Sequence, residues 1–286
     1  MSAPPTQRLI ALVLAMFSVT VLALTLNLVA VSHLQHYTAQ KWLYDELRVS
    51  LAAGSVPTGP LDPDGKLVEP GTPIALLSAP DIGLSREVIV EGTAGAQTMA
   101  GSGHRRDTAL PCQVGTSVIM ARAAAYGAAG RNYQELQPGD RFGVTMAQGS
   151  CTYEVIGPRR VGEQAPPVPS GREGRLTLTT ADGPAFMPTE VYRVDARLVS
   201  DAFDRAPDRI PAGALPEAEQ AMGIDLSVLF PLILLLQLMI AVAIGVAWMW
   251  RRWGRWQTWI VGIPPILAVG LLTATTINQW LLPNLL

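Results

Sequence analysis

All 23 Asp and Glu residues of this 286-residue chain lie between Asp45 and Asp225, and on either side of that block the sequence is almost purely apolar. Leu9 to Val31 is interrupted only by Ser18, Thr20, Thr25 and Asn27, Leu226 to Trp250 holds no charged residue, and neither does Trp259 to Leu282. A helix needs about 20 apolar residues to cross roughly 30 Å of hydrocarbon. Each run is long enough, so the sequence predicts an integral membrane protein with three transmembrane helices. The first run outlasts the ~7–15-residue apolar core of a cleaved signal peptide. It also passes into the bulky His33-Leu34-Gln35-His36-Tyr37 rather than into small residues, so it reads as an uncleaved anchor.

The basic residues orient the chain. Arg8 precedes the first run, and Arg251, Arg252 and Arg255 separate the last two, with no acidic residue among them. Short basic loops stay in the cytoplasm. The sequence therefore divides into a cytoplasmic tail (1–8), a first transmembrane helix (9–31), a long extracytoplasmic segment, a second transmembrane helix (225–250), a cytoplasmic turn (251–256) and a third transmembrane helix (257–282). The expected localisation is the cell membrane, multi-pass, with the amino terminus inside. No charged side chain interrupts the spans, as a transport path would require. Gln237, Thr273, Thr275, Thr276 and Asn278 read as polar contacts between helices, each contributing about 0.6–2 kcal/mol. Pro231 and Pro264-Pro265 read as kinks. Two spans beyond what anchoring requires suggest a membrane-protein partner for the carboxyl-terminal helices, besides the lipid bilayer itself.

The extracytoplasmic segment has its own organisation. Tyr44, Leu47 and Leu51 recur on one helical face, which predicts a helical stalk over 33–51. Prolines and glycines from Gly54 to Pro73 are too dense for regular structure, so 32–73 is stalk and linker. From 74 to 200 short β runs alternate with turns: Ile74–Leu77, Glu87–Glu91, Ser117–Ala121, Arg141–Met146, Cys151–Ile156, Arg175–Thr180 and Glu190–Val199. Pro138-Gly139-Asp140 and Gln148-Gly149 supply turns, and short helices fit near Ala94–Ala100 and Asn132–Leu136. Seven or eight strands in this length predict one closed barrel or sandwich. Residues 201–224, acidic and proline-bearing, read as a tether back to the membrane.

The chemistry-bearing residues are few. Cys112 and Cys151 both fall outside the cytoplasm, where a pair of cysteines most often forms a disulfide; the expectation is one staple between neighbouring strands. Two cysteines and three histidines are too few for a metal site, and no cofactor is implied. With a net charge of −2 and no basic face, nucleic acid is not an expected partner. Ser102, Ser117, Ser150 and Ser170 lie in no nucleophile-elbow pattern. His33 and His36 read as solvated residues at the membrane surface.

Several colinear motifs between Ile74 and Val199 resemble the class E sortases of high-GC Gram-positive bacteria. They are Ala79-Pro80-Asp81-Ile82-Gly83-Leu84 with Val88-Ile89-Val90-Glu91-Gly92-Thr93; Gly103-His104 with Thr108-Ala109-Leu110-Pro111; Tyr126-Gly127; Leu136 with Pro138-Gly139-Asp140; and Arg175 to Thr180. The resemblance implies a mainly β fold, a sortase-like closed barrel of seven to eight strands with short helices, over 74–200. It also implies a transpeptidase site built from a cysteine nucleophile, a histidine that manages protons and an arginine at the substrate carbonyl.

At those positions the match breaks. The family's cysteine position is Ala181, at the end of Thr177-Leu178-Thr179-Thr180-Ala181. Counting back from Tyr126, Arg122 takes the histidine position, and arginine is a poor general base. Arg193 matches the family's arginine, with Arg197 as the rival. The resemblance thus predicts a catalytically inactive pseudo-sortase whose groove (Arg122, Thr180, Ala181, Arg193) binds a surface-protein peptide, a wall component or an active sortase as scaffold or accessory factor. The alternatives are an active transpeptidase or cysteine hydrolase with a relocated nucleophile, Cys112 served by His104, and, last, a membrane sensor.

Overall fold

The computed structural model describes residues 21–207 and 210–286, together with Leu14. It forms two compact units, one of residues 32–225 with 282–286 and one of the apolar helices. Most of the expected first span, with Arg8 before it, lies outside the described residues; Val21–Leu26 is helical and Asn27–Val31 forms a π-helical turn.

In the first unit eight strands close into a barrel. They are β1 (Pro73–Ala79), β2 (Leu84–Glu91), β3 (Ser102–His104), β4 (Gly115–Met120), β5 (Arg141–Met146), β6 (Gly149–Arg159), β7 (Gly174–Asp182) and β8 (Glu190–Leu198). Around the barrel the order is β1-β2-β3-β4-β7-β8-β6-β5, and β1 pairs with β5 to close it. The pairs β2–β3 and β4–β7 are parallel, the others antiparallel. Period-two alternation fills the interior: Phe142, Val144 and Met146 of β5 are buried against Cys151, Tyr153 and Val155 of β6. Tyr153 stacks on Phe142 with ring centroids 5.6 Å apart, and its hydroxyl accepts the Cys112 N–H at 2.7 Å.

Strand β3 has no apolar run to announce it. It forms because Gly103 lets two backbones approach: a Cβ there would lie 2.4 Å from the Gly92 carbonyl oxygen, inside any permitted contact. Short helices run over Gly95–Ala100 and Ala129–Tyr133, the second a few residues before its expected place.

The expected stalk and tether belong to the barrel unit. Helix Ser32–Ala53 buries Leu47 with Val56 and Val88. Its Gln40 accepts the Val88 N–H at 2.8 Å and donates to the Ala100 carbonyl at 3.0 Å. The linker that follows has one isolated bridge, Leu61 with Leu67. The described residues of the 201–224 stretch contact the barrel: the Phe203 N–H donates to the Cys112 carbonyl at 2.9 Å, Thr93 Oγ1 donates to the Glu219 carbonyl at 2.7 Å, and Arg106 Nε donates to the Glu219 carboxylate at 2.9 Å.

The second unit contains helices Leu229–Arg252 and Arg255–Leu281, entered by a 3₁₀ turn at Leu226–Val228. The stretches Leu226–Arg252 and Trp256–Gln279 are long and apolar enough to cross a membrane. Pro264 and Pro265 lie within the second helix. Thr273 and Thr276 donate to carbonyls four residues back, and Asn278 Nδ2 donates to Asn27 Oδ1 at 2.8 Å, so these polar groups are satisfied inside the unit.

Candidate ligand groove

Of the four positions singled out in sequence, Ala181 and Arg193 lie on the outer face of the β7–β8 pair, and Arg122 follows β4, the other neighbour of β7. Along β7, Leu176 and Leu178 point into the core, so Thr177, Thr179 and Ala181 point out. Ala181 pairs across with Val191 and Thr179 with Arg193, which places Arg193 on the same outer face. Thr180, expected in the groove, lies on the interior side. Its hydroxyl sits under Gly130, where a Cβ would approach it to 2.1 Å. Odd and even positions of a strand serve opposite faces, and Thr180 falls on the even one.

Arg122 follows β4 and is fully buried. Its guanidinium is held by main-chain oxygens: Nη1 donates to Pro283 at 3.2 Å and Leu286 at 3.3 Å, and Nη2 to Gly95 at 3.2 Å. Nε is buried with no hydrogen-bond partner. The Tyr126 ring lies 5.3 Å from the guanidinium carbon. Burial lowers the Arg122 pKa to about 10, against a smaller upward pull from Tyr126, so the group stays cationic at neutral pH. No Asp or Glu pairs with it among the described residues. The salt-bridged surface arginine that a bland reading would place here is therefore not what Arg122 is.

Arg193 is half-buried. Among the described residues nothing hydrogen-bonds its guanidinium, and burial together with the Arg159 charge holds its pKa below the ordinary value. Its rival Arg197 is exposed and bound to Glu154, which also pairs with Arg141. Of the two, Arg193 is the one that pairs with Thr179 on the outer face of β7 and has no hydrogen-bond partner among the described residues.

The wall around Ala181 is covered by residues that no motif identified. Leu285 is fully buried against Met120 and Ala181, with Val118, Ala123 and Val191 around them. Its carbonyl accepts the Ala123 N–H at 2.9 Å. The Asn284 carboxamide donates to the carbonyls of Thr93 (2.7 Å), Ala218 (3.2 Å) and Gln220 (2.7 Å), and its Oδ1 accepts the Gly223 N–H at 3.1 Å. Sequence reading had placed the end of a membrane span at residue 282. The only signal of a change is Pro283-Asn284, which breaks the apolar run.

The other candidates sit elsewhere. Cys112 and Cys151 form a disulfide with Cα atoms 5.7 Å apart. It joins the β3–β4 connection to β6, which are not neighbouring strands as expected, because the connection folds across the barrel interior. With its sulfur in the disulfide, Cys112 has no thiolate to attack with. His104 is fully buried: Nδ1 lies 2.8 Å from Glu91 Oε2 and Nε2 lies 2.8 Å from the Ala109 carbonyl. Burial opposes its charge, but Glu91 and the carbonyl outweigh burial and raise the pKa.

His36, expected in solvent, is buried beside Glu87 at 3.7 Å, with Nδ1 3.3 Å from the Met99 carbonyl. Glu87 accepts from Ser102 Oγ at 3.0 Å, and Ser102 in turn contacts Tyr133 Oη at 2.7 Å. The stalk helix packs His36 onto β2, a contact that position in the chain could not reveal. Among the described residues none of Ser102, Ser117, Ser150 and Ser170 hydrogen-bonds a histidine, and no group of three or more His, Cys, Asp or Glu is placed to hold a metal ion.

Comparison with known proteins agrees with this barrel. A sortase domain model matches residues 77–200, from within β1 to just past β8. The barrel is a closed, mixed, eight-stranded sortase fold. Among solved structures, a Clostridium perfringens sortase D5 transpeptidase is 21% identical, with a TM-score of 0.46 over 57% of this chain and 99% of that one. Sortase A from Corynebacterium diphtheriae is 20% identical, with a TM-score of 0.41 over 59% and 90%. A sortase from Actinomyces oris is 26% identical, with a TM-score of 0.41 over 47% and 83%. No curated protein matches.

Proposed function

We propose that this chain is a membrane-anchored pseudo-sortase of the class E type, whose barrel binds a peptide without cutting it. The observation that carries the reading is Arg122. At the position where the resemblance expects a proton-handling histidine, a permanently charged side chain instead grips main-chain oxygens. Ala181, at the nucleophile position, brings only a methyl group to the same wall. A wall whose donors already hold main-chain oxygens and whose apolar socket already holds an aliphatic side chain, with no nucleophile or base at the matched positions, supports recognition rather than acyl transfer. Arg193, with no hydrogen-bond partner of its own, is available to a ligand carbonyl or carboxylate.

The ligand classes this reading favours are a surface-protein segment, a wall component or an active sortase partner, with the barrel outside the membrane and Arg251 and Arg252 inside. The test is a transpeptidation assay in membranes with a sorting-signal peptide. The native chain should be inert, while the Ala181→Cys, Arg122→His double variant should gain turnover if the wall is otherwise intact. Cleavage by the native chain would end the pseudo-enzyme reading.

A further inference from the structure

The wall that carries Ala181 is already covered by a tight turn of the same chain, Pro283–Leu286, closed by the Leu286 N–H donating to the Pro283 carbonyl at 3.1 Å, and the way it is held resembles ligand recognition more than loop packing. Four features fall on consecutive residues. The carbonyl oxygens of Pro283 and Leu286 meet the Arg122 guanidinium; the Asn284 carboxamide uses both its donor and its acceptor capacity on Thr93, Ala218, Gln220 and Gly223; the Leu285 carbonyl meets the Ala123 N–H; and the Leu285 side chain fills the socket lined by Met120 and Ala181. Loop packing would not require a buried cation. Yet Arg122 is charged, wholly buried and served by main-chain oxygens with no Asp or Glu beside it among the described residues, and its Nε has no hydrogen-bond partner in the same site. Leaving such groups without full compensation is costly, and a protein keeps them where they serve binding or switching.

We infer that Pro283–Leu286 is a self-supplied ligand that closes the groove, and that the external ligand is a peptide of the same chemistry, a tight turn presenting a carboxamide side chain followed by an aliphatic one. This rests on the peptide-binding reading above and adds two things to it, the ligand class and the need for displacement. The segment is held at an effective concentration far above that of a free peptide. The native protein therefore binds such a peptide weakly, and binding strengthens when the segment is dislodged. A partner engaging the chain beyond Leu281 would open the groove by the same route.

The test uses the full chain in lipid nanodiscs and a fluorescent, carboxy-amidated hexapeptide, Leu-Leu-Pro-Asn-Leu-Leu, with binding read by anisotropy. Leu285→Asp, which puts a charge into an apolar socket, should tighten binding at least tenfold over native. Leu285→Ala should move it the same way by less, and decides the matter if the aspartate variant fails to fold. Adding Arg122→Ala to either should abolish the gain. If native and both Leu285 variants bind equally and all lose binding with Arg122→Ala, the groove reads peptides but the segment does not close it. If no form binds, the inference and the peptide-binding reading fall together.

Discussion

Arg122 sets the strongest expectations at the scale of single residues. Replacing it with alanine takes a donor from the oxygens of Gly95, Pro283 and Leu286, although Gly95 keeps the Thr98 hydroxyl and Pro283 the Leu286 N–H, and opens a cavity beside Tyr126. Unmet buried acceptors cost about 1–3 kcal/mol each, and large-to-small changes in packed sites about 2–5 kcal/mol. Relief from burying a charge offsets part of this, so Arg122→Ala should lower barrel stability by roughly 2–4 kcal/mol. Resistance to proteolysis across a guanidinium series would measure it, and an unchanged midpoint would mean the oxygens find water. His104 gives a pH dependence. Both ring nitrogens face acceptors, which favours the imidazolium, and the pKa is raised in the folded state. A raised folded pKa contributes stability that is complete below about pH 6.5 and lost as pH climbs through the folded value. His36 beside Glu87 acts with the same sign. Melting temperature should therefore fall as pH rises above about 6.5, and His104→Asn should flatten that slope.

Among the elements, the disulfide is the clearest determinant of stability. It closes a loop across a sequence separation of 39 and ties the β3–β4 connection to β6. Chain-entropy arguments put its contribution at about 4 kcal/mol, so Cys112→Ala with Cys151→Ala should unfold at markedly lower denaturant, while a shift under ~1 kcal/mol would show the connection pinned by Tyr153 alone. The strands show what a sequence can reveal. Strand β5 was legible because Phe142, Val144 and Met146 alternate with polar or small residues. Strand β3 was not, because its reason to exist is the missing side chain of Gly103, a contact with Gly92 rather than a pattern. In β7 alternation marks Thr177 as solvent-facing, yet it is buried, its hydroxyl donating to Asp195 at 2.7 Å while Arg159 neutralises that carboxylate. Long-range partners decide such positions. The same holds for the groove: Arg122, Ala181 and Arg193 were visible through motif spacing, but Asn284 and Leu285 lie a hundred residues downstream of Ala181 and carried no motif.

For the whole molecule, the proposed membrane topology assigns each part a side. Asp225 and Leu282 belong to one compact unit, and the chain between them supplies two helices long and apolar enough to cross a bilayer. A chain that leaves a unit and returns to it must cross an even number of times, and two crossings satisfy this. The turn between them carries Arg251 and Arg252, whereas every acidic residue lies at or before Asp225. Basic turns are retained in the cytoplasm, so the orientation proposed above has the turn inside and the barrel outside, where its disulfide would also be chemically stable. Single cysteines introduced at the exposed Val168 and Trp253 test this in intact cells, since neither native cysteine is free. A membrane-impermeant maleimide should label position 168 at once and position 253 only after permeabilisation. The reverse pattern would invert the protein, and labelling of both without permeabilisation would mean the two helices do not span.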